Sequence, residues 1–247
     1  MLIYIISVII ALALAFLCGS IPFALIIGKS MRGLDVREHG SGNAGSTNAI
    51  RVLGLGPGLL VFAADVFKAA LGCIIVLLAV NLSITVAATM ATQVAIDMVL
   101  QGTGALEYDP LVAIMAGEQA SYLFNIPLSL AVVATILGHM FSPFMGFKGG
   151  KGVATALGSL LVVLPLAALC ALTVFIVIVI ATRFVSLGSI IAVSTVPVFT
   201  YFFDPAPTYI VFTILVAVVV VLAHRKNIIR LSQNREPRFT LPKKVSS

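Results

Sequence analysis

Two lysines and three glycines fall within six residues of the segment FKGGKGVATALG, residues 147–158. Glycines at a helix start expose backbone N–H groups, and a helix N-terminus carries about half a positive charge that attracts anionic oxygens. The segment is not a nucleotide-binding P-loop, because the spacing from Gly146 is one residue too short and Gly152 replaces the required serine or threonine. It predicts an anion site reinforced by Lys151. The alternative is a loop whose lysines anchor it at lipid headgroups.

A second polar cluster, HGSGNAGSTNAIR at residues 39–51, alternates small polar side chains with glycine before a basic residue. Glycine lets backbone N–H groups approach a ligand, and the hydroxyls and amides can complete an anion-binding nest. A phosphate or a carboxylate would fit such a nest. A flexible loop is the alternative interpretation, because glycine, serine and asparagine also dominate turns.

The third cluster, HRKNIIRL at residues 224–231, follows a long apolar run. If the helix continues, His224 and Asn227 share one face, because residues three apart are neighbours on a helix. A neutral histidine can accept a proton, and an asparagine can fix the orientation of a partner. A basic helix end that faces anionic lipids is the alternative.

Smaller signals accompany these clusters. The segment VSLGS at residues 185–189 opens a further helix, where Ser186 and Ser189 could add hydroxyls, although we expect Ser186 to cap that helix. Asp65 and Lys68 are expected to form an ion pair within the membrane, where charged side chains usually pair with one another. The three cysteines have no metal-binding spacing, and we expect neither a metal nor a cofactor.

Apolar segments must position these clusters. Hydrophobic residues make up 60% of the 247 residues and charged residues only 10%, which exceeds what a soluble core needs. The apolar runs match the roughly 20 residues that cross a bilayer as a helix. The prediction is an all-α integral membrane protein, in which residues 1–247 form one compact bundle of about seven transmembrane helices, some short or broken.

The basic residues predict the topology. All but two of them lie in three segments, residues 29–51, 148–151 and 225–244. Positive loops favour the cytoplasm, so the three segments should share that side, with an even number of crossings between each pair. The run 152–182 contains Pro165, which interrupts a helix, and even parity divides this run into two short helices. Seven crossings follow, with Met1 outside and the C-terminus in the cytoplasm.

Three segments lie outside this alternation of spans and basic loops. We expect the first apolar run, residues 2–27, to be retained as the first membrane helix. The acidic stretch 81–123 is expected to be an inserted loop or an amphipathic helix. The polar tail, about 232–247, contains two prolines and is expected to be a short basic surface appendage in the cytoplasm.

All three histidines of the chain fall at the same predicted membrane face as these cations. His39, His139 and His224 accompany most of the polar glycine-rich sequence there. Headgroup anchors alone would not need so much glycine. The combined prediction is a cytoplasm-facing pocket for one or more phosphate-bearing ligands, with an apolar wall for a lipid chain and no role for nucleic acid.

The segments GSGNAGSTNAIR, GHMFSPFMGFKGGKGVAT and HRKNIIRL resemble, in order and spacing, the three motifs of the bacterial acyl-phosphate:glycerol-3-phosphate acyltransferases. The resemblance covers nearly the whole chain. It implies a seven-helix enzyme of the bacterial plasma membrane that moves a fatty acyl group from acyl phosphate to the sn-1 hydroxyl of glycerol 3-phosphate. The products would be lysophosphatidic acid and phosphate, in the first step of phospholipid synthesis, and membrane lipid would be a further partner.

The resemblance also implies which residues form the site. The catalytic positions are Ser41, His224 and Asn227. The substrate-binding positions that match the motifs are Asn43, Thr47, Asn48, Arg51, Lys148, Gly149, Gly150, Lys151, Gly152, Ser186 and Ser189. Glu236 matches a further position of the third motif. Asn234 stands where the family usually has glycine, a mild departure because asparagine tolerates a left-handed backbone.

The expected mechanism uses Arg51 and Lys151 to hold phosphate groups while the sn-1 hydroxyl attacks the acyl carbonyl. The base is either His224 or a phosphate oxygen of the acyl phosphate. Two rival functions use the same features. A membrane transporter of an organic phosphate would need the cationic pocket together with polar groups near the middle of the membrane. A lipid-binding scaffold would need the basic tail but not the Gly-Lys-Gly helix start.

Overall fold

The structure is a computed structural model that describes residues 2–101 and 119–239. All regular elements in these ranges are helical, which confirms the predicted fold class. The α-helices are α1 Leu2–Ser20, α2 Phe23–Arg32, α3 Ser46–Leu53, α4 Leu55–Leu100, α5 Gln119–Met140, α6 Val153–Val163, α7 Pro165–Thr182, α8 Val185–Phe203, α9 Pro207–Ala223 and α10 Arg225–Ser232. Two short 3-10 helices, Val36–Glu38 and Pro143–Met145, lie in the polar loops.

Within the described ranges, five helical segments are long and apolar enough to cross a membrane. They are Leu2–Arg32, Leu55–Val94, Ser121–Met145, Pro165–Thr182 and Val185–Phe203. A sixth candidate is the pair α9 and α10, which bends by 60° at its break. The apolar helix α6, counted as a crossing in the predicted topology, has only 11 residues, which is shorter than the roughly 20 that cross a bilayer.

Prolines break two of the apolar runs. The run 152–182 divides at Leu164, whose backbone leaves helical geometry just before Pro165, as the sequence predicts. The first apolar run also divides, because α1 ends at Ser20 and α2 begins after Pro22. The predicted first membrane helix is therefore a single candidate span, Leu2–Arg32, that is broken between α1 and α2. Proline removes a backbone donor and clashes with the preceding turn, which explains both breaks.

Helix α4 is much longer than one membrane crossing requires. It contains 46 residues, or about 69 Å at 1.5 Å per residue, which is over twice the roughly 30 Å of a hydrocarbon core. Residues 81–100, expected to form a loop or an amphipathic helix, continue this helix directly. The rest of that predicted segment, 102–118, lies outside the described residues.

Helix α4 packs against α1, α3, α5 and α6, while α8 packs between α7 and α9. Small residues permit this close packing. A Cβ atom on Gly138 would collide with the backbone of Phe16, and one on Gly158 would collide with that of Val66. The hydroxyls of Thr135 and Ser159 share a hydrogen bond of 2.6 Å between α5 and α6. Small residues and polar side chains are the usual means of joining helices in a membrane.

Candidate active site

The loop before α3 is held in place by Asn48. This side chain is buried, its Oδ1 accepts from the Ser41 N–H at 2.8 Å, and its Nδ2 donates to the carbonyls of Val36 at 2.7 Å and His39 at 3.1 Å. These three bonds use both amide hydrogens and one acceptor site of the side chain within the loop. Asn48 therefore positions the polar residues around it.

Helix α3 brings the basic end of the first cluster to the site. The N-cap of this helix is Gly45, so no side chain caps its N-terminus. Thr47 lies in the first turn, and Arg51 lies in the last turn with its side chain exposed. Arg51 makes no hydrogen bond or ion pair with residues 2–101 or 119–239, so its guanidinium is available to an anion.

Lys151 lies just before α6. The helix begins at Val153, with Gly152 as its N-cap in the left-handed region at φ 86°. Lys151 therefore lies two residues before the helix rather than inside its first turn. No side chain caps this helix, so its first N–H groups are free to bind an anion beside the Lys151 ammonium.

A chain of hydrogen bonds joins the second and third clusters. The Lys151 ammonium donates to Asn227 Oδ1 at 2.6 Å, and Asn227 Nδ2 donates to Glu236 Oε1 at 2.6 Å. The Arg230 guanidinium completes the chain by donating from Nε to Glu236 Oε2 at 2.7 Å. Asn227 therefore couples the position of a cation to that of a carboxylate.

Burial changes the ionisation of this chain. It lowers the pKa of Lys151 from 10.5 to about 8, an effect that Glu236 opposes and that Arg230 and Arg51 reinforce. Burial alone would raise the pKa of Glu236, but interactions with Ser186, Arg230 and Asn227 outweigh it and hold that pKa below its usual value. At neutral pH the site therefore contains an ammonium and a carboxylate.

His224 lies at the bend between α9 and α10 rather than inside one continuous helix. Its Nδ1 lies 2.7 Å from the Val220 carbonyl oxygen. A carbonyl can only accept, so Nδ1 must carry the hydrogen and Nε2 must carry the lone pair. The ring is buried in the tautomer that a general base requires.

The described part of the tail forms a wall of the site, which corrects its interpretation as a surface appendage. The Phe239 N–H donates to the Arg183 carbonyl at 2.7 Å, and the Arg238 guanidinium lies 5.6 Å from the centre of the Phe184 ring. Asn234 adopts a left-handed φ of 53° at the turn, which agrees with the glycine usual in the family. Residues 240–247 lie outside the described ranges.

These elements enclose a cavity of about 360 Å³. Most of the predicted site residues line it, namely Ser41, Asn43, Thr47, Asn48, Arg51, Lys151, Gly152, Ser186, Ser189, His224 and Asn227. Lys148, Gly149 and Gly150 are not among its lining residues, and the Lys148 side chain is exposed. The structure thus brings together all three polar clusters but leaves the start of the glycine-rich segment outside the cavity.

The cavity is electropositive for two reasons. Three helices, α3, α6 and α8, begin at its wall without a side-chain cap, and each N-terminus adds about half a positive charge. Arg51, Lys151 and Arg230 also line it. The carboxylates in the wall are Asp65, which is 2.6 Å from Lys68, and Glu236, which is paired with Arg230. Because both carboxylates are paired, the cavity favours anionic ligands.

The two serines of α8 have different environments. The N-cap of this helix is Phe184, so the expectation that Ser186 caps it is wrong. The Ser186 hydroxyl is buried near Glu236 without an aligned hydrogen bond in the described chain. Ser189 donates to the Val185 carbonyl at 2.8 Å. The Ser186 hydroxyl therefore faces the Glu236 carboxylate at the cavity wall, whereas the Ser189 hydroxyl is bonded to its own helix.

A smaller apolar cavity of about 70 Å³ adjoins the first. The two share Phe62, Val153, Phe175 and Ser189 as wall residues. The remaining walls of the smaller cavity come from aliphatic residues of α6, α7, α8 and α9. A polar, cationic chamber therefore opens beside an apolar one, which suits a ligand with both a phosphate and a hydrocarbon chain.

Polar residues of the cavity wall that were not among the predicted site residues include Asp65, His139 and Arg230. The predicted ion pair of Asp65 with Lys68 is confirmed at 2.6 Å, but its position behind the cavity was not predicted. His139 comes ten residues before Gly149 and gives no periodic signal. Among the described residues, no three His, Cys, Asp or Glu side chains are grouped to hold a metal ion.

Comparison with known proteins gives a consistent result. The sequence model of the family described as glycerol-3-phosphate acyltransferase matches residues 9–234. The chain is 38% identical to a glycerol-3-phosphate acyltransferase of Geobacter sulfurreducens over 92% of this chain and 95% of that protein. It is 36% identical to one of Bacillus velezensis over 92% and 94% of the two chains.

Solved structures agree with these relatives. The fold is similar to the crystal structure of an integral membrane glycerol 3-phosphate acyltransferase in its glycerol 3-phosphate form, with a TM-score of 0.71 and 32% identity. The match covers 95% of this chain and 96% of that one. The lysophosphatidic acid form of the same enzyme matches with a TM-score of 0.70.

Proposed function

Because this chain belongs to the glycerol-3-phosphate acyltransferase family, we propose that it transfers a fatty acyl group from acyl phosphate to the sn-1 hydroxyl of glycerol 3-phosphate. The chain is an integral membrane acyltransferase, and the reaction it serves is the first step of phospholipid synthesis. The identity of the donor as acyl phosphate, the residue roles and the membrane orientation are parts of the proposal.

The observation that carries the proposal is the pairing of the two cavities. Both proposed substrates contain phosphate, and the larger cavity offers three uncapped helix N-termini with Arg51 and Lys151. The donor also carries a hydrocarbon chain, and the adjoining cavity is lined by Phe62, Phe175 and aliphatic side chains. A transporter of an organic phosphate would not need the second chamber.

We assign phosphate binding to Arg51, Lys151 and the N–H groups that begin α6, since charge-assisted hydrogen bonds are the strongest available to a phosphate. Ser41, Asn43, Thr47 and the Ser186 hydroxyl supply further donors around the donor substrate. Asn227 acts on the reaction by holding Lys151. Ser189, which donates to its own helix, contributes mainly to the wall between the chambers.

The proposed reaction is a direct transfer. The sn-1 oxygen of glycerol 3-phosphate forms a bond to the acyl carbon, and the bond between that carbon and the phosphate oxygen breaks. His224 Nε2 takes the hydroxyl proton, and inorganic phosphate leaves with the electron pair. Donors around the developing oxyanion supply the largest share of rate enhancement, because phosphate is already a good leaving group.

The remaining motif residues have supporting roles. Asn48 shapes the loop that presents Ser41, and Gly152 allows the left-handed turn that starts α6. Lys148 is exposed and away from the cavity, so we assign it no contact with the bound substrates. We place the cavity on the cytoplasmic face of the bacterial plasma membrane, with the N-terminus outside, because its loops carry most of the cations.

A direct assay tests the proposal. Purified protein is incubated with labelled glycerol 3-phosphate and, in separate reactions, acyl phosphate, acyl-CoA or acyl carrier protein as donor. We expect labelled lysophosphatidic acid from acyl phosphate. Product from acyl-CoA or acyl carrier protein but not from acyl phosphate would contradict the donor, and no product from any donor would contradict the activity.

A further inference from the structure

A buried polar cluster lies behind the cavity on the side of the glycine-rich loop. The Lys68 ammonium is 2.6 Å from Asp65 Oδ1, 2.7 Å from the Ile21 carbonyl oxygen and 3.1 Å from His139 Nδ1. Lys68, Asp65 and His139 are all buried. The cluster therefore joins α4, the break after α1 and the end of α5.

The contacts of Lys68 fix the orientation of the His139 ring. An ammonium group can only donate, so Nδ1 must accept and Nε2 must carry the hydrogen. The three contacts of Lys68 satisfy its three donors. A buried charge is tolerated only when it is paired and hydrogen-bonded in this way, which holds the imidazole in one place.

The held ring is the surface on which the glycine-rich loop packs. A Cβ atom on Gly150 would collide with Nε2, Cε1 and Cδ2 of His139, whereas one on Gly149 would collide with the carbonyl groups of His139 and Met140. Neither glycine has a positive φ. The backbone conformation therefore does not require glycine at these positions, but the space beside His139 does.

The N–H groups of the same glycines are already used. Gly149 donates to the Met140 carbonyl at 2.9 Å, and Gly150 donates to the His139 carbonyl at 3.2 Å. Neither glycine lines the cavity. A direct phosphate contact therefore explains neither of them, although Lys151, the next residue, reaches the cavity.

We infer that His139 is a positioning residue: Asp65 and Lys68 hold its ring, Gly150 packs against that ring, and this packing sets the place of Lys151 at the cavity. The inference rests on the proposed function, in which Lys151 binds a substrate phosphate. Its physical basis is that a displacement of about 1 Å at a binding group can cost about 100-fold in catalysis.

A double-mutant cycle tests this inference through the KM for glycerol 3-phosphate, which does not depend on the fraction of protein that is folded. We expect Gly150→Ala to raise KM by about 100-fold and His139→Ala by about tenfold. The double variant should resemble His139→Ala alone, because removing the ring makes room for the new methyl group. Non-additivity of this kind marks residues in contact.

Gly149→Ala is the matched control. It adds the same methyl group one residue earlier, but against backbone atoms that His139→Ala does not remove. His139→Ala should therefore not rescue it. If Gly150→Ala does not fold, the yield of monodisperse protein in detergent replaces KM, and His139→Ala should restore that yield for Gly150→Ala but not for Gly149→Ala.

Additive effects of Gly150→Ala and His139→Ala, or equal rescue of both glycine variants, would overturn the inference. So would a His139→Ala variant that loses thermal stability while its KM stays at the wild-type value, because the cluster would then be structural alone. A wild-type protein without transferase activity would contradict the proposed function instead, and the folded yields would still report whether His139 and Gly150 are coupled.

Discussion

Replacing Lys151 by methionine removes the ammonium from the cavity and keeps a side chain of similar length. The structure gives the expected magnitude. Lys151 is largely buried and hydrogen-bonded to Asn227 at 2.6 Å, so its hydrogen bond to a phosphate should contribute about 1.5–3 kcal/mol. That free energy corresponds to a rise of about 10- to 150-fold in the KM of the substrate that it binds.

The pH profile supplies an independent signature of the same residue. Burial lowers the pKa of Lys151 to about 8, so the ammonium that binds phosphate is present below that pH and is lost above it. The second pKa of a phosphate monoester is about 6, so the substrate's charge is constant in this range. The wild-type kcat/KM should fall about tenfold per pH unit above pH 8, and Lys151→Met should lack this fall.

The assay is initial-rate kinetics with acyl phosphate and labelled glycerol 3-phosphate from pH 6.5 to 9.5. Lys226→Met is the matched control, since Lys226 is exposed, lies in α10 and does not line the cavity. It loses the same charge and should stay close to wild type at each pH. A Lys151→Met variant with wild-type KM values, or one that keeps the alkaline fall in kcat/KM, would refute the role assigned to Lys151.

Three further outcomes follow from the geometry. His224→Ala should lower the turnover of bound substrates by about 100-fold or more, the usual contribution of a general base; unchanged single-turnover rates would instead favour a phosphate oxygen as the base. Glu236→Gln should lower the thermal stability, because Arg230 and Asn227 lose their carboxylate partner. The pKa of Glu236 is held below its unfolded value near 4.5. The difference in thermal stability between wild type and Glu236→Gln should therefore be full above pH 4.5 and vanish as the pH falls through the folded pKa. An equal difference in stability in strong acid would argue against this role of Glu236. Ala171→Phe should fill the apolar cavity and favour shorter acyl phosphates, as judged from relative rates with long and short chains, and an unchanged preference would exclude that cavity as the chain site.

The sequence predicts the broad architecture because membrane helices leave a strong local signal. Long apolar runs identify the spans, and Pro165 divides one of them at the predicted place. The same rule applies to Pro22, but the apolar residues on both sides of it conceal the break. Residues 81–100 continue α4 because no proline or glycine interrupts the helix there. The change to a more polar composition after residue 80 therefore did not mark the end of α4.

The composition of the site was more predictable than its contacts. Each polar cluster is local in sequence, so residues such as Arg51, Lys151 and His224 could be identified before the fold was known. Whether a given side chain faces the cavity depends on contacts between distant segments. Lys148 and Lys151 look alike in sequence, but only the second reaches the cavity, where it meets Asn227 from another helix.

The contacts of individual side chains could not be predicted from the sequence for the same reason. Asn48 reads as a ligand, whereas its amide is used within the loop. The glycines before Lys151 were expected to leave room for a phosphate, whereas the space where their side chains would lie is occupied by His139. The tail reads as a solvated appendage, whereas Glu236 and Phe239 close the cavity. These distinctions require three-dimensional contacts that no local pattern encodes.

The most direct test of the central claim is an experimental structure of this protein with glycerol 3-phosphate bound. We predict that the phosphate lies inside the cavity, within about 3 Å of a donor from Lys151, Arg51 or the first N–H groups of α6. We also predict that the sn-1 hydroxyl faces His224. A phosphate bound at Lys148, or anywhere outside the chamber formed by the three polar clusters, would contradict the account.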